Sequence, residues 1–181
     1  MRIEKEFEKY IRANYPIQTW LNNPILRKKS VNIEKITDEI KEFSEILHVA
    51  MQLYDWVWLA APQIWKNIRM VAVCQLNKKQ DKVISSQVLI NPEIVEKSQK
   101  TFIEDEWCLS LPWLEWKVKR HHKVKVKYQD IYGKTQFLTL TWLNAWIVQH
   151  EIDHLDGILF WDKVIDKEKW INIKSFINQN I

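Results

Sequence analysis

Residues His150-Glu151-Ile152-Asp153-His154 spell H-E-x-x-H. On an α-helix, positions i and i+4 share a face one turn apart. Two imidazoles placed that way hold a single divalent metal ion, and the glutamate between them is set as a general base. The surrounding sequence agrees with a helix. Residues 144–156 contain neither Pro nor Gly, and Ile147, Val148, Ile152 and Leu155 are apolar. Gly157 stands where a helix C-terminal stop is expected. Two surface histidines on an ordinary helix are the competing reading, and the motif alone leaves it open.

An open metal site needs a third protein ligand. One protease class extends the motif to H-E-x-x-H-x-x-G-x-x-H. This chain follows it as far as Gly157 and then places Phe160 where the third His belongs. Glu168, the one glutamate downstream of His154, sits on a lysine-rich tail and is a poor ligand candidate. The remaining soft ligand lies upstream: Cys108, in Glu106-Trp107-Cys108-Leu109-Ser110. A thiolate and two imidazoles make a Cys-His-His set.

These residues carry a resemblance to the peptide deformylase family. Its three motifs, G-x-G-x-A-A-x-Q, E-G-C-L-S and H-E-x-x-H, read here as residues 56–63, 106–110 and 150–154, in that order. The likeness runs from about Pro16 to about Ile165. It implies an α+β fold, with antiparallel strands packed around a central metal-binding helix. It also implies the reaction, removal of the formyl group from the N-formylmethionine that begins nascent polypeptides. By motif position, Cys108, His150 and His154 are the metal ligands and Glu151 is the general base and acid. Gln63 and the backbone N–H of Leu109 stabilise the oxyanion, and Val57, Trp58, Glu106, Trp107 and Leu143 contact the substrate. The ion the resemblance implies is Fe(II), with Zn(II), Ni(II) or Co(II) able to take the site. A zinc protease is disfavoured by the missing third His. A structural or catalytically dead metal protein of the same fold shares the ligand set and stays open.

Every glycine of the family motifs is Trp here. The chain has 11 Trp and 2 Gly, where an average chain carries about 7% Gly, roughly 13 at this length. The two counts together equal that number. Trp also falls where backbones usually need Gly, as after Asp55, after Ile64, before Cys108 and after Pro112. The reading adopted is that Trp56, Trp58, Trp65, Trp107, Trp113, Trp116 and Trp142 stand at glycine sites, while Trp161 and Trp170 are original tryptophans. Engineering would produce the pattern. So would reassignment of UGA, which is one base away from both a Trp and a Gly codon. At position 58 the resemblance puts a glycine that lets substrate approach, so an indole there is expected to crowd the methionine pocket, and Trp107 is expected to press on Cys108.

The 181 residues suit one domain, residues 1–181, with 1–13 as an N-terminal extension and 166–181 as a C-terminal helix. The amphipathic spacing of Ile3, Phe7, Tyr10 and Ile11 predicts a short helix over 2–12. Thr37 to Tyr54 predicts a longer one, with Ile40, Phe43, Leu47, Ala50, Met51 and Tyr54 as its buried stripe. His48, off that stripe, reads as a surface residue. Strands are expected at 69–76, at 83–90 closed by Asn91-Pro92, with 93–98 as a continuation, and in a hairpin of 123–129 and 136–141. The net charge of +4 is mild. The lysines of 117–127 read as a solvated face that permits a weak, transient attraction to the ribosome and argues against a DNA groove. The N-terminus lacks an apolar signal region and no 18-residue apolar run occurs, so the expectation is a cytoplasmic protein with no membrane contact. Two cysteines make no disulfide framework, and Cys74 reads as core.

Overall fold

The computed structural model describes residues 5–165 apart from 78 and 80. The C-terminal helix expected over 166–181 lies outside the described residues. Among the described residues, four α-helices, α1 (Lys5–Asn14), α2 (Pro24–Arg27), α3 (Asp38–Leu53) and α4 (Trp142–Leu155), accompany seven strands. These are β1 (Trp58–Ala60), β2 (Met70–Leu76), β3 (Val83–Lys97), β4 (Thr101–Trp107), β5 (Glu115–His121), β6 (Lys123–Gln129) and β7 (Thr135–Thr141). Five form an antiparallel sheet in the order β1-β2-β3-β6-β7, and β4 pairs with β5 in a separate hairpin.

The apolar run of β2 is continuous because both faces of the sheet are covered. Successive side chains of a strand point to opposite faces. Met70, Ala72 and Cys74 pack with Phe43, Leu47, Ala50 and Met51 of α3. Val71 and Val73 pack on the other face with Ala145, Val148, Ile152 and Leu155 of α4. A third cluster, holding Leu26, Cys108, Leu111, Val118 and Phe160, closes the far side of α4 against the hairpin. Helix α4 is therefore wrapped all round, and every residue from Ala145 to Leu155 is buried. A helix surrounded in this way needs apolar residues on several faces, and its polar residues must find partners inside.

Helix α3 begins and ends within a residue of expectation and buries Phe43, Leu47, Ala50 and Met51 as expected. The strand beginning at Val83 does not close at Asn91-Pro92. It runs on as one element, with its register broken between Ile90 and Glu93. Asn91 takes φ +50° there, and its side-chain amide donates to Ile33 O and accepts from Ile33 N–H, which holds the bulge. Three strands had no sequence signal: the three-residue β1, and the β4–β5 pair. The acidic residues 104–106 belong to β4, and the basic run from 117 belongs to β5.

Helix α4 stops at Asp156 with Gly157 at φ +72°, and a Cβ at 157 would stand 2.5 Å from Arg27 O. Only glycine fits there. Among the described residues, four tryptophans also have left-handed backbone: Trp20 (φ 85°), Trp65 (72°), Trp113 (71°) and Trp142 (53°). Bulky side chains rarely adopt that region, and glycine adopts it freely. Three of the seven expected glycine sites are thus borne out by backbone geometry, and Trp20 is added. Trp56, Trp58, Trp107 and Trp116 are not left-handed. After α3 it is Asp55, not Trp56, that turns at φ +53°. Trp116 is extended in β5, packs in the third cluster and donates Nε1–H to Ile165 O at 2.9 Å.

Left-handed backbone costs a side-chain-bearing residue about 1–2 kcal/mol, and glycine gives back roughly 0.5–1 kcal/mol through its freer unfolded chain. Trp113 is 96% exposed and has almost no packing to lose. Trp113→Gly is therefore expected to raise the urea midpoint, by about 0.5–1 kcal/mol of stability. Trp116→Gly is expected to lower it, by about 2 kcal/mol or more through lost packing. Midpoint shifts of the same sign in the two variants would contradict this assignment.

Candidate metal centre

His150 and His154 leave α4 on one face, with Nε2 atoms 3.1 Å apart. Cys108 meets them from the turn that follows β4. Its Sγ is 3.2 Å from His154 Nε2, and all three donor atoms lie within 4.8 Å of one another. All three residues are buried. Tetrahedral bonds of about 2.0–2.3 Å would place neighbouring donors roughly 3.3–3.6 Å apart, so the set has the right size to enclose one ion. The turn is held by Leu111 N–H donating to Cys108 O at 3.0 Å, and Leu109 lies inside it. Ser110 N–H and Gln63 Nε2 both donate to the sulfur, at 3.4 and 3.5 Å, and so fix its direction.

Gln63 sits on the 3-10 turn Ala61–Ile64 after β1. Its Oε1 accepts Ala60 N–H at 2.8 Å, which leaves Nε2 pointing at Cys108 and at Ser110 Oγ, 3.1 Å away. An amide held this way is aimed at the centre, the placement that an oxyanion donor needs.

Glu106, expected to contact substrate, is instead the centre of a buried network. It is 3% exposed, and its carboxylate gathers three neighbours. His150 Nδ1–H donates to Oε1 at 2.5 Å, Arg120 donates through Nη2 at 2.6 Å and Nε at 3.0 Å, and Trp146 Nε1–H donates to Oε2. Arg120 also bridges to Asp153, which in turn accepts from Lys163 Nζ at 2.6 Å. Glu106 lines the cavity expected for substrate, but its hydrogen bonds go to His150, and it orients that ring with Nε2 free toward the cluster. Arg120, Trp146 and Asp153 are functional neighbours that sequence reading passed over. Arg120 hid inside a basic stretch read as solvated, although it is only 3% exposed. A lone Arg among lysines, three residues before a strand of alternating valines, was the available signal.

Trp58, Trp107 and Leu143 line the same cavity beside His150. Val57 does not. It immediately precedes β1, packs in the α3-side cluster, and its carbonyl accepts Cys74 N–H at 2.8 Å. Strand alternation explains the difference, since adjacent residues face opposite ways. His48 is half-buried, not a surface residue, and its Nε2 meets Ser86 Oγ at 2.6 Å far along α3 from the cluster.

The electrostatics divide the cluster. Burial alone would raise Glu106, but His150 and Arg120 outweigh it and hold the carboxyl at about 2. Burial would lower His150, but the Glu106 carboxylate and Cys108 push it well above the usual imidazole value. Burial and the neighbouring His150 push His154 down to about 4, so it stays neutral and able to donate a lone pair. Glu151 is fully buried, neither carboxylate oxygen has a hydrogen-bond partner, and burial lifts it to about 7. Its Oε1 is 3.9 Å from His150 Nε2.

Fold and cluster together define a class: an α+β protein whose fully enclosed helix presents a Cys-His-His donor set with an unpartnered glutamate beside it. The comparisons with known proteins narrow it. The polypeptide deformylase family model matches residues 15–170. The chain is 38% identical over 147 residues to the peptide deformylase of Dictyoglomus thermophilum, covering 81% of this chain and 91% of that one. It is 40% identical over 140 residues to the peptide deformylase of Desulfotalea psychrophila, covering 77% and 82%. A Met-Ala-Ser-bound class I type b peptide deformylase from Acinetobacter baumannii superposes with a TM-score of 0.76 at 30% identity, covering 83% of this chain and 98% of that one. The Thermotoga maritima peptide deformylase gives 0.75 at 32% identity, covering 83% and 97%. This chain belongs to the polypeptide deformylase family. Helix α1 lies outside the stretch that the family model matches and packs on α3 through Ile11.

Glu106 makes the fold acid-sensitive. Its folded value lies below the ordinary carboxyl value of 4.5, so the stability it adds is complete above about pH 4.5 and is lost as pH falls toward 2. The shift corresponds to roughly 3 kcal/mol. Glu106→Gln should flatten the fall in urea midpoint between pH 5 and pH 2.5. An unchanged slope would show that the acid sensitivity lies in other carboxyls.

Proposed function

We propose that this chain hydrolyses the formyl group from N-formyl peptides, of which N-formylmethionyl nascent chains are the class its family implies, using one divalent metal ion held by Cys108, His150 and His154. The observation that carries the reading is Glu151. A fully buried carboxylate with no hydrogen-bond partner is costly, and it makes sense beside three converging donors that would hold a metal ion. Among the described residues no fourth His or Cys joins the set, which favours a catalytic over a structural site. The donor set also narrows the choice of ion. One sulfur and two imidazole nitrogens suit Fe(II), Zn(II), Ni(II) or Co(II) and not Mg(II) or Ca(II). Fe(II) is the physiological ion that the family implies. When bound, such an ion supplies Lewis acidity and lowers the pKa of water toward about 7.

The protein side of the reaction follows from the geometry. Glu151 takes a proton from the attacking water as its oxygen adds to the formyl carbon. Gln63 Nε2 and the Leu109 N–H donate to the oxygen that becomes negative. The C–N bond then breaks, formate departs, and Glu151 returns the proton to the leaving amine. Glu106 keeps His150 in one tautomer throughout. No described helix is long and apolar enough to cross a membrane, and a nascent-chain substrate places the activity in the cytoplasm. Lys117 and Lys119 of β5 and Lys123 and Lys127 of β6 are exposed, a charge distribution suited to weak attraction to ribosomal RNA phosphate.

Glu151→Ala should keep its metal, measured by elemental analysis, while kcat on formyl-Met-Ala-Ser falls on the order of 10²-fold or more. Metal lost together with activity would make Glu151 a ligand. Full activity would remove it from the mechanism.

A further inference from the structure

A second cavity, of about 260 Å³, lies apart from the metal cluster. The ends of β3 and β5, helix α4 and the 3-10 turn Phe160–Lys163 form it, through Lys97, Arg120, His121, Gln149, Asp153 and Lys163. Gln149 and Asp153 are an i, i+4 pair set one residue before His150 and His154. They therefore look out about 100° round the helix from the two histidines. Ile94 and Val95 add an apolar wall.

The hydrogen bonds of the lining residues decide what the space can hold. Gln149 is fully engaged: Oε1 accepts His121 N–H at 3.0 Å, and Nε2 donates to the carbonyls of His121 and Ala145. Arg120 is engaged by Glu106 and Asp153. Both carboxylates at the cavity already face cations. Asp153 accepts from Arg120 and, at 2.6 Å, from Lys163, while Glu96 accepts from Lys125 at 2.7 Å. The capacity left over is of one kind. The Lys97 ammonium has no hydrogen bond or ion pair among the described residues. Lys163 gives one of its three N–H groups to Asp153. His121 Nδ1 meets Ser98 O at 2.7 Å, so Nδ1 carries the hydrogen and Nε2 is uncommitted. A lysine binds phosphate as a point charge. Two of them, from different elements and beside an uncommitted imidazole, suit a doubly charged tetrahedral oxyanion. One water needs roughly 10–15 Å³ on the same measure of volume, so phosphate fits with water around it.

We propose that this cavity binds a phosphate-type oxyanion through Lys97, Lys163 and His121, and that its occupation is felt at the metal centre. An anion that draws Lys163 off Asp153 leaves Asp153 to Arg120 alone. Arg120 is shared with Glu106, and Glu106 holds the ring of His150. The contacts are contiguous from an exposed lysine to that ring. By linkage, anion and metal then change each other's affinity by the same factor. The site stands whether or not the chain hydrolyses formyl peptides.

Calorimetric titration of the Co(II)-loaded chain with inorganic phosphate, at fixed ionic strength and with the Co(II) absorption spectrum followed in parallel, tests both parts. The expected result is one phosphate per chain and a spectral shift that saturates with it. Lys97→Gln and Lys163→Gln should each weaken binding by about tenfold or more, as loss of a charge-assisted hydrogen bond does. Both lysines are exposed, so neither exchange removes core packing. Lys119→Gln, an exposed position of β5 outside the cavity, should bind as the parent does. Equal affinity in all three variants, or no saturable binding, would overturn the site. Binding that persists in Lys97→Gln and Lys163→Gln and disappears from the metal-free chain would place phosphate on the ion and overturn the site equally. Saturable, lysine-dependent binding with an unmoved spectrum would overturn the coupling to the metal centre.

Discussion

The carboxylate of Glu106 is the joint on which the centre depends. It lies on β4, takes the fork of Arg120 from β5, and accepts from Trp146 and His150 of α4. One buried side chain thereby ties the separate hairpin to the central helix. Buried ion pairs contribute little net stability when intact, yet losing one partner costs about 3–5 kcal/mol because the other charge is left stranded. The same contact selects the tautomer of His150, so its Nε2 faces Cys108 and His154. Asp153 and Lys163 extend the chain of charges to the surface on the far side of the helix.

Around that joint the fold solves a packing problem. Helix α4 is buried on every side, by the five-stranded sheet, by the hairpin and by the turn that carries Cys108. A helix so enclosed keeps water out of the space beside His150 and Glu151. The lifted proton affinity of Glu151 and the depressed one of His154 both follow from that exclusion. Gly157 ends the helix where the backbone of Arg27 leaves no room for a side chain.

The donor residues could be read from the sequence because their chemistry is local or rare: an i, i+4 pair of histidines on an uninterrupted helix, and one suitably placed thiol. Helix α3 was legible through its apolar stripe, and the β6–β7 hairpin through its alternation and the turn at Gly133. Strand β1 is too short to show a period. β4 and β5 are charged because most of their side chains face outward, so they resembled loops and a solvated face. Glu106 was expected in the site, but its burial against Arg120 was hidden for a related reason. Both are charges that a partner 14 residues away, on the neighbouring strand of the hairpin, makes buriable, and no local periodicity shows that pairing. The glycine argument was legible in composition, yet only backbone angles separate its sites. Trp20, Trp65, Trp113 and Trp142 occupy left-handed turns, whereas Trp58 and Trp107 matter through the space they fill and Trp116 is an ordinary packed strand residue.

All of this depends on Cys108, His150 and His154 sharing one ion. X-ray absorption at the metal edge, on anaerobically purified protein of known metal content, tests that directly. The account predicts one ion per chain with one sulfur near 2.3 Å and two nitrogens near 2.0–2.1 Å, plus a light-atom ligand from solvent, and loss of the sulfur shell in Cys108→Ser. A shell without sulfur, or two sulfurs per ion, would contradict it.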